Sequence, residues 1–333
     1  MNLKFAVIIC TYMRPRDIIN LMESIQVQTI YPDEIIVVDG SSNSETERAL
    51  SKLEINNLKY FFVNEVHRGA AKQRNFGIKN VSAFIDIICF LDDDVVLLPD
   101  YFEQILNTYK DYPDALGVGG YIIDDVKWEK VKGSYRPRFT DYVFNGWKTK
   151  ESKRNILRKC LGLVSYTPPG IMPSFSHGRS LFPPSMKTYQ VEQMIGCTSS
   201  YRKEVLDKQQ FDSFFEGYSL YEDTALALRV SKKGKLYLNT NAKLYHYHST
   251  EGRPSYLKYG KMVVRNGWYV WRLRFPDPPI KARFKWHATT LLLANIRLLN
   301  AITGPKRKDA LMDFLGRILA WFEVLFNPPV ISE

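Results

Sequence analysis

A chain of 333 residues with 45% hydrophobic and 14% aromatic content can bury one large α/β core with an appendage, or two domains. Its four cysteines, Cys10, Cys89, Cys160 and Cys197, stand far apart with no Cys-x-x-Cys pair, which excludes a disulfide framework or a zinc finger and predicts a reducing compartment. The formal charge of +11 is uneven: Ser255 to Glu333 carries 13 Lys and Arg against 5 Asp and Glu, a net +8, leaving +3 on the first 254 residues. That asymmetry predicts an anionic partner for the tail.

The apolar run that ends at Cys10, with Arg14 and Arg16 behind it, is too short for a signal peptide or a bilayer span, so a cytoplasmic location is expected. Phe5 to Cys10 (FAVIIC) reads as a continuous apolar strand. Arg16 to Gln28 is a helix with Ile18, Leu21, Met22 and Ile25 on one face. Glu34 to Val38 is a second strand, ending at Asp39-Gly40-Ser41-Ser42, and Ser44 to Leu53 is helical again. Tyr60 to Val63 is a third strand; His67 to Asn80 opens Gly-rich and turns helical; Ile85 to Leu91 is a fourth strand. Apolar strands alternating with helices predict an α/β fold, a mostly parallel sheet flanked by helices. Ligands of such sheets sit beyond the carboxyl ends of the strands, so Arg14, Asp39 and Asp92 to Asp94 should converge on one crevice.

From Asp124 to Lys187 the periodicity fades into Pro, Gly, Tyr and Trp, with Thr167-Pro168-Pro169-Gly170 as a loop signal. Residues 124–190 are therefore expected to form an irregular acceptor-side region within a domain spanning 1–250. Residues 251–333 read as two or three helices. One carries the apolar stripe Leu311, Phe314, Leu315, Ile318, Leu319, Phe322, Leu325 and Phe326. Another sets Lys258, Lys261, Arg265 and Arg272 close to Trp268 and Trp271, whereas the apolar Ala288 to Ile296 is broken by Asn295, Arg297 and Asn300 and spans no membrane. Basic residues with aromatics on amphipathic helices fit an anionic bilayer surface. Packing on the catalytic domain or a second subunit is the alternative.

Chemistry concentrates in Phe90-Leu91-Asp92-Asp93-Asp94, three carboxylates where a core strand runs out. An unpartnered buried carboxylate is costly and adjacent ones repel, so the run calls for a cation. Hard oxygen ligands with room for phosphate oxygens describe a Mg²⁺ or Mn²⁺ site holding a nucleotide. A solvated acidic turn is the plainer alternative. Glu222-Asp223 stands just ahead of a helical stretch, Thr224 to Lys232, where a carboxylate pair also serves as a cap. His246 ends an alternating strand, with His248 two residues on.

Taken in order, these motifs resemble the nucleotide-sugar domain of family 2 glycosyltransferases. The resemblance runs through Thr11-Tyr12-x-Arg14, Val37-Val38-Asp39-Gly40-Ser41, Gly69 to Gly77 (GAAKQRNFG), Asp92-x-Asp94, Gln193-x-x-Gly196-Cys197, Glu222-Asp223 and Tyr245-His246, and covers roughly Lys4 to His248. It implies a GT-A fold and an inverting transfer from a nucleotide-diphosphate sugar, most often UDP-linked. The implied acceptor is a glycan or a lipid-linked carrier at the inner face of a membrane, with no nucleic acid partner. Thr11, Tyr12 and Asp39 would hold the nucleoside, Asp39 accepting from the base ring N–H. Asp92 would reach the ribose and Asp94 the metal, Mn²⁺ or Mg²⁺, with Asp93 between them and His246 as a further ligand. Arg14, Lys72 and Arg74 are candidates for the diphosphate, since guanidinium suits phosphate. Asp223 would be the general base, and Glu222 would assist the acceptor or cap the helix. Gly40 departs from the family, where many members carry a second Asp.

Two other classes compete. Asp92-x-Asp94-x-Val96 also fits the nucleophile loop of haloacid-dehalogenase-like phosphatases, but their later Gly-Asp-x-x-x-Asp motif is absent. A non-catalytic scaffold with a sugar-nucleotide fold is opposed by the intact Asp92, Asp94, Asp223 and His246.

Overall fold

The uninterrupted apolar runs become the central strands because they can be buried on both faces. In the computed structural model, which describes residues 3–123, 126–249 and 252–331, Phe5–Thr11 (β1), Glu34–Asp39 (β2), Leu58–Phe62 (β3) and Ile87–Asp92 (β4) pair in parallel in the order β3-β2-β1-β4. Pro15–Gln26 (α1) buries Ile18, Leu21, Met22 and Ile25, the face read from its spacing. Glu45–Leu50 (α2) and Ala70–Lys79 (α3) follow β2 and β3. Val95–Leu97 (β5), Tyr101–Asp111 (α4) and Ala115–Ile123 (β6) complete the first run.

The chain then makes Glu129–Lys130 (β7), Asp141–Phe144 (β8), Trp147–Lys150 (β9) and Lys153–Cys160 (α5). It returns through Thr188–Val191 (β10), Ser199–Arg202 (β11), Lys203–Leu206 (α6), Glu222–Ser231 (α7) and Lys235–His246 (β12). β11 lies antiparallel between β4 and β6, and β12 runs parallel to β6 and antiparallel to β5 and β10. The sheet is therefore parallel on one side and mixed on the other. Its core joins Val7, Ile9, Ile35, Val37, Ile87, Cys89 and Leu91 to Phe102, Ile105 and Tyr109 of α4. Each such side chain contributes roughly 1.5–3 kcal/mol by leaving water.

The chain divides into two compact units, Met1–Asp125 with Pro184–Arg253, and Val126–Pro183 with Pro254–Glu333. Sequence reading placed the middle segment with the catalytic domain; here it groups with the C-terminal helices Tyr256–Arg274 (α8), Ile280–Thr303 (α9) and Arg307–Phe326 (α10). The reason is direct contact: Trp271 Nε1 donates to the Ser174 carbonyl at 2.8 Å, and Lys285 Nζ to that of Gly162 at 2.8 Å. This grouping redraws the charge. The second unit holds 25 Lys and Arg against 8 Asp and Glu, a formal +17, which leaves −6 of the total +11 on the first.

The middle segment is also less irregular than expected. β8 and β9 form a hairpin closed by Asn145-Gly146, both at positive φ, with β7 added to β9. Asn-Gly is the turn whose twist matches such a hairpin.

Candidate active site

Strand register sets the site. Thr11 stands opposite Asp39 and Cys10 opposite Asp92, so β1, β2 and β4 end at one edge. β12 reaches the same place by pairing His246 with Val95, the residue after Asp94.

The three consecutive acids have three different environments. Asp93 is buried, accepting from Thr11 Oγ1 at 2.7 Å and from Arg14 Nη1 at 2.8 Å. Burial pushes its pKa up to about 7 against the pull of Arg14. Thr11, Arg14 and Asp93, expected against the nucleotide, thus clamp one another beneath the turn. Asp94 accepts through Oδ2 from the Ser249 N–H at 2.8 Å, and its carbonyl accepts from the Tyr247 N–H. Its Oδ1 is buried without a hydrogen-bond partner among the described residues, although His246 Nε2 lies 3.1 Å away. Asp92 is half-exposed and takes Arg74 Nη2 at 2.9 Å.

Arg74 is the buried keystone between two acids. It bonds Asp92 with one nitrogen and Glu222 with the other, its Cζ lying 5.2 Å from the Phe211 ring centroid. Both ends of the fork rest on carboxylates, where a diphosphate contact was expected of Arg74. Glu222, expected to assist the acceptor or cap the helix, is buried in the first turn of α7 and paired with Arg74. Burial raises its pKa to about 8, with Arg74 pulling the other way. The N-cap of α7 is Tyr221, at φ 76 and with no side-chain cap bond.

Asp223, half-buried, accepts from the Gly196 N–H at 2.7 Å and the Thr224 N–H at 2.6 Å. Burial raises its pKa above the usual carboxylate value. A Cβ on Gly196 would stand 2.9 Å from Arg74 Nη2 and 3.2 Å from Asp223 Cβ, so this glycine lets the two sit side by side. Arg74→Ala is expected to cost about 3–5 kcal/mol in denaturant unfolding, because it strands the buried Glu222 carboxyl. Arg74→Lys should recover part of this, since one ammonium cannot span both acids with a guanidinium's fork. An Arg74→Ala protein as stable as the parent would show the keystone to be idle.

On the nucleoside side, Asp39 is fully buried and already accepts from the Ser41 N–H and the Tyr60 hydroxyl, each at 2.7 Å. Tyr12 is exposed, with Arg68 Cζ 5.6 Å from its ring centroid, and Lys72 lies exposed on α3. Sequence reasoning assigned no role to two further residues here. Arg68 Nε donates to the Gly40 carbonyl at 2.7 Å, and Gln73 Nε2 donates to the carbonyls of Thr11 at 3.0 Å and Val38 at 2.8 Å. Gln73 thereby laces β1 and β2 to α3, although only its place inside the GAAKQRNFG run marked it. A Cβ on Gly40 would meet Gln73 Oε1 at 3.2 Å and Arg68 Cγ at 3.3 Å, so a second Asp there would have to displace them.

The residues fit a hard cation. Asp94 supplies a buried oxygen that faces His246 Nε2 at 3.1 Å, and ligand atoms of Asp92, Cys197 and His246 lie within 4.8 Å of one another. Burial holds the Cys197 thiol well above its ordinary pKa, and the hard donors at hand are the Asp92 and Asp94 carboxylates and the His246 imidazole. Oxygen-rich sets of this kind suit Mn²⁺ or Mg²⁺.

Residues 6–208 match the family model "Glycosyl transferase family 2", so the chain belongs to that family. It is similar to the glucosyl-dolichyl phosphate glucuronosyltransferase of Haloferax volcanii, 28% identical over 137 residues, 40% of this chain and 42% of that one. It is similar also to the O-antigen chain rhamnosyltransferase RfbN of Salmonella typhimurium, 34% identical over 111 residues, 33% of this chain and 34% of that one. The matches span less than half of these relatives' length. Among solved structures, TarS of S. aureus aligns over 97% of this chain and 91% of its own at a TM-score of 0.48 and 14% identity.

Proposed function

We propose that the chain transfers a sugar, with inversion, from a nucleotide-diphosphate donor to a hydroxyl of a glycan or lipid-linked acceptor. The observation that carries this reading is the buried Asp94 carboxylate, its Oδ1 3.1 Å from His246 Nε2, at the strand-end edge that Arg74 ties to Glu222 and its neighbour Asp223. Asp92, Asp94 and His246 would hold Mn²⁺ or Mg²⁺, which when bound stabilises the charge of the departing diphosphate. Asp223 receives the acceptor proton at a carboxylate oxygen, and its raised pKa makes it a stronger base than an ordinary carboxylate. Bonds from Gly196 and Thr224 fix its orientation. Tyr12, exposed, and Arg68, which bonds the Gly40 carbonyl, offer a ring and a cation where a nucleoside would lie.

A UDP-linked donor is the first expectation from the family. The Haloferax relative, whose name carries a glucosyl-dolichyl phosphate, favours a lipid-linked acceptor. No helix among the described residues is long and apolar enough to cross a membrane, so attachment at an inner membrane face would be peripheral. The test is a screen of nucleoside-diphosphate release across UDP, GDP and dTDP sugars. Release from one nucleotide class, most simply UDP, is expected; release from none, with and without glycan and lipid-linked acceptors, would overturn the reading.

A further inference from the structure

We propose that α10 and the adjoining part of α9 form the face by which the second unit seats on an anionic lipid bilayer. α10 is built inside out. Its buried side is small, Ala310, Asp313, Gly316, Ala320 and Val324, and it packs backbone against backbone on α8. A Cβ on Gly316 would lie 2.2 Å from the Leu257 carbonyl oxygen, and one on Gly260 only 2.3 Å from that of Asp313. Asp313, fully buried, ties α10 to α9 through Arg297 and pairs with Arg317 on its own helix.

The large side chains point the other way. Leu311, Leu315, Leu319, Phe322 and Phe326, at spacings of four, four, three and four, are 39–84% exposed. On α9, Leu299 and Ile302 are exposed at 57% and 62%. A helix whose own unit takes its alanines and glycine while its leucines, Phe322 and Phe326 meet water has an apolar face awaiting cover.

Charge selects the cover. The unit's net charge is +17, and the exposed run Lys306-Arg307-Lys308 opens α10 one turn from Leu311. Two copies pressed face to face would bring two such charges together, whereas an anionic headgroup layer neutralises the basic run and admits the leucines beneath it. The α10 axis would lie in the plane of the interface, because no helix among the described residues is long and apolar enough to cross. The inference does not depend on which sugar is transferred.

The experiment uses the full chain with vesicles of phosphatidylglycerol in phosphatidylcholine, with pure phosphatidylcholine vesicles as the neutral arm and sedimentation velocity as the arm for self-association. Binding to the anionic vesicles is expected, weak on the neutral ones and falling steeply as salt shortens the Debye length. The Lys306→Gln/Arg307→Gln/Lys308→Gln variant should bind on the order of 10²-fold more weakly. Leu315→Ser/Leu319→Ser should lose about tenfold or more by removing apolar insertion. All these residues are exposed, so both variants should keep the parent's circular dichroism and its donor turnover in solution. Vesicle binding unaffected in both variants would overturn the proposal. So would a salt-resistant dimer that Leu315→Ser/Leu319→Ser returns to monomer, which would assign the face to a second copy.

Discussion

Asp223→Asn is expected to lower kcat by roughly 10²-fold or more while leaving the donor KM within a few-fold of the parent. From sequence alone the substitution looks like a clean separation of base from cap, since Asn caps as well as Asp. The structure changes that argument. The cap position belongs to Tyr221, and Asp223 sits inside α7 with one oxygen on the Gly196 N–H and the other on the Thr224 N–H. Asn offers a single carbonyl and must turn its amide toward one of these donors, so a stability loss of about 1–3 kcal/mol should accompany the kinetic effect. The kinetic measurement is therefore made below the variant's melting transition. Asp223→Ala supplies the second comparison, because it removes both acceptor bonds and the base together. If turnover falls only as far as folded protein falls, Asp223 is a positioning group and the base lies elsewhere. If the folded fraction is intact and kcat alone collapses, the proton goes to Asp223.

Much of the first unit was legible because its strands are buried on both faces and its helices are amphipathic. FAVIIC and EIIVV admit few other readings, and the 3.6-residue spacing of Ile18, Leu21, Met22 and Ile25 named the buried face of α1 correctly. The motif residues were found because acids at strand ends are conspicuous. Their partners were not, since pairing depends on register. Nothing local says that Asp93 turns inward to Thr11 and Arg14, or that Arg74, already on Asp92, reaches Glu222 148 residues further along the chain.

The second unit was read least well, for a different reason. Its two stretches are separated by the return strands of the first unit, so neither periodicity nor composition connects them. The Asn145-Gly146 hairpin carried its own signal, but it was lost among the loop residues around it. The α10 stripe was seen as apolar but could not be given a direction. Only the backbone contacts at Gly260 and Gly316 show that the small residues face inward.

Removal of divalent metal is expected to abolish transfer, with activity returning on Mn²⁺ or Mg²⁺, and His246 gives this effect a defined pH course. Burial pulls the His246 pKa down, but the adjacent Asp94 outweighs it and holds the imidazolium above the usual value of about 6.5. Burial likewise pushes Asp94 up, and His246 and the Ser249 N–H more than reverse it. In chelator the ion pair therefore stabilises the fold fully while His246 is protonated and Asp94 ionised. Its contribution fades as pH rises through the elevated histidine value, and at acid pH as Asp94 takes up a proton. A bound metal must displace the His246 proton, so the signs oppose. The melting temperature in EDTA should fall from about pH 6 upward, while the increment from Mn²⁺ should grow over the same range. At a hundredfold excess over Kd the increment corresponds to about 2.7 kcal/mol. Asp94→Asn should remove the increment along with activity. His246→Ala should weaken it and flatten its pH dependence, since the titrating ligand is gone. Full activity in excess EDTA, or a metal increment indifferent to pH, would move the cation away from Asp94 and His246.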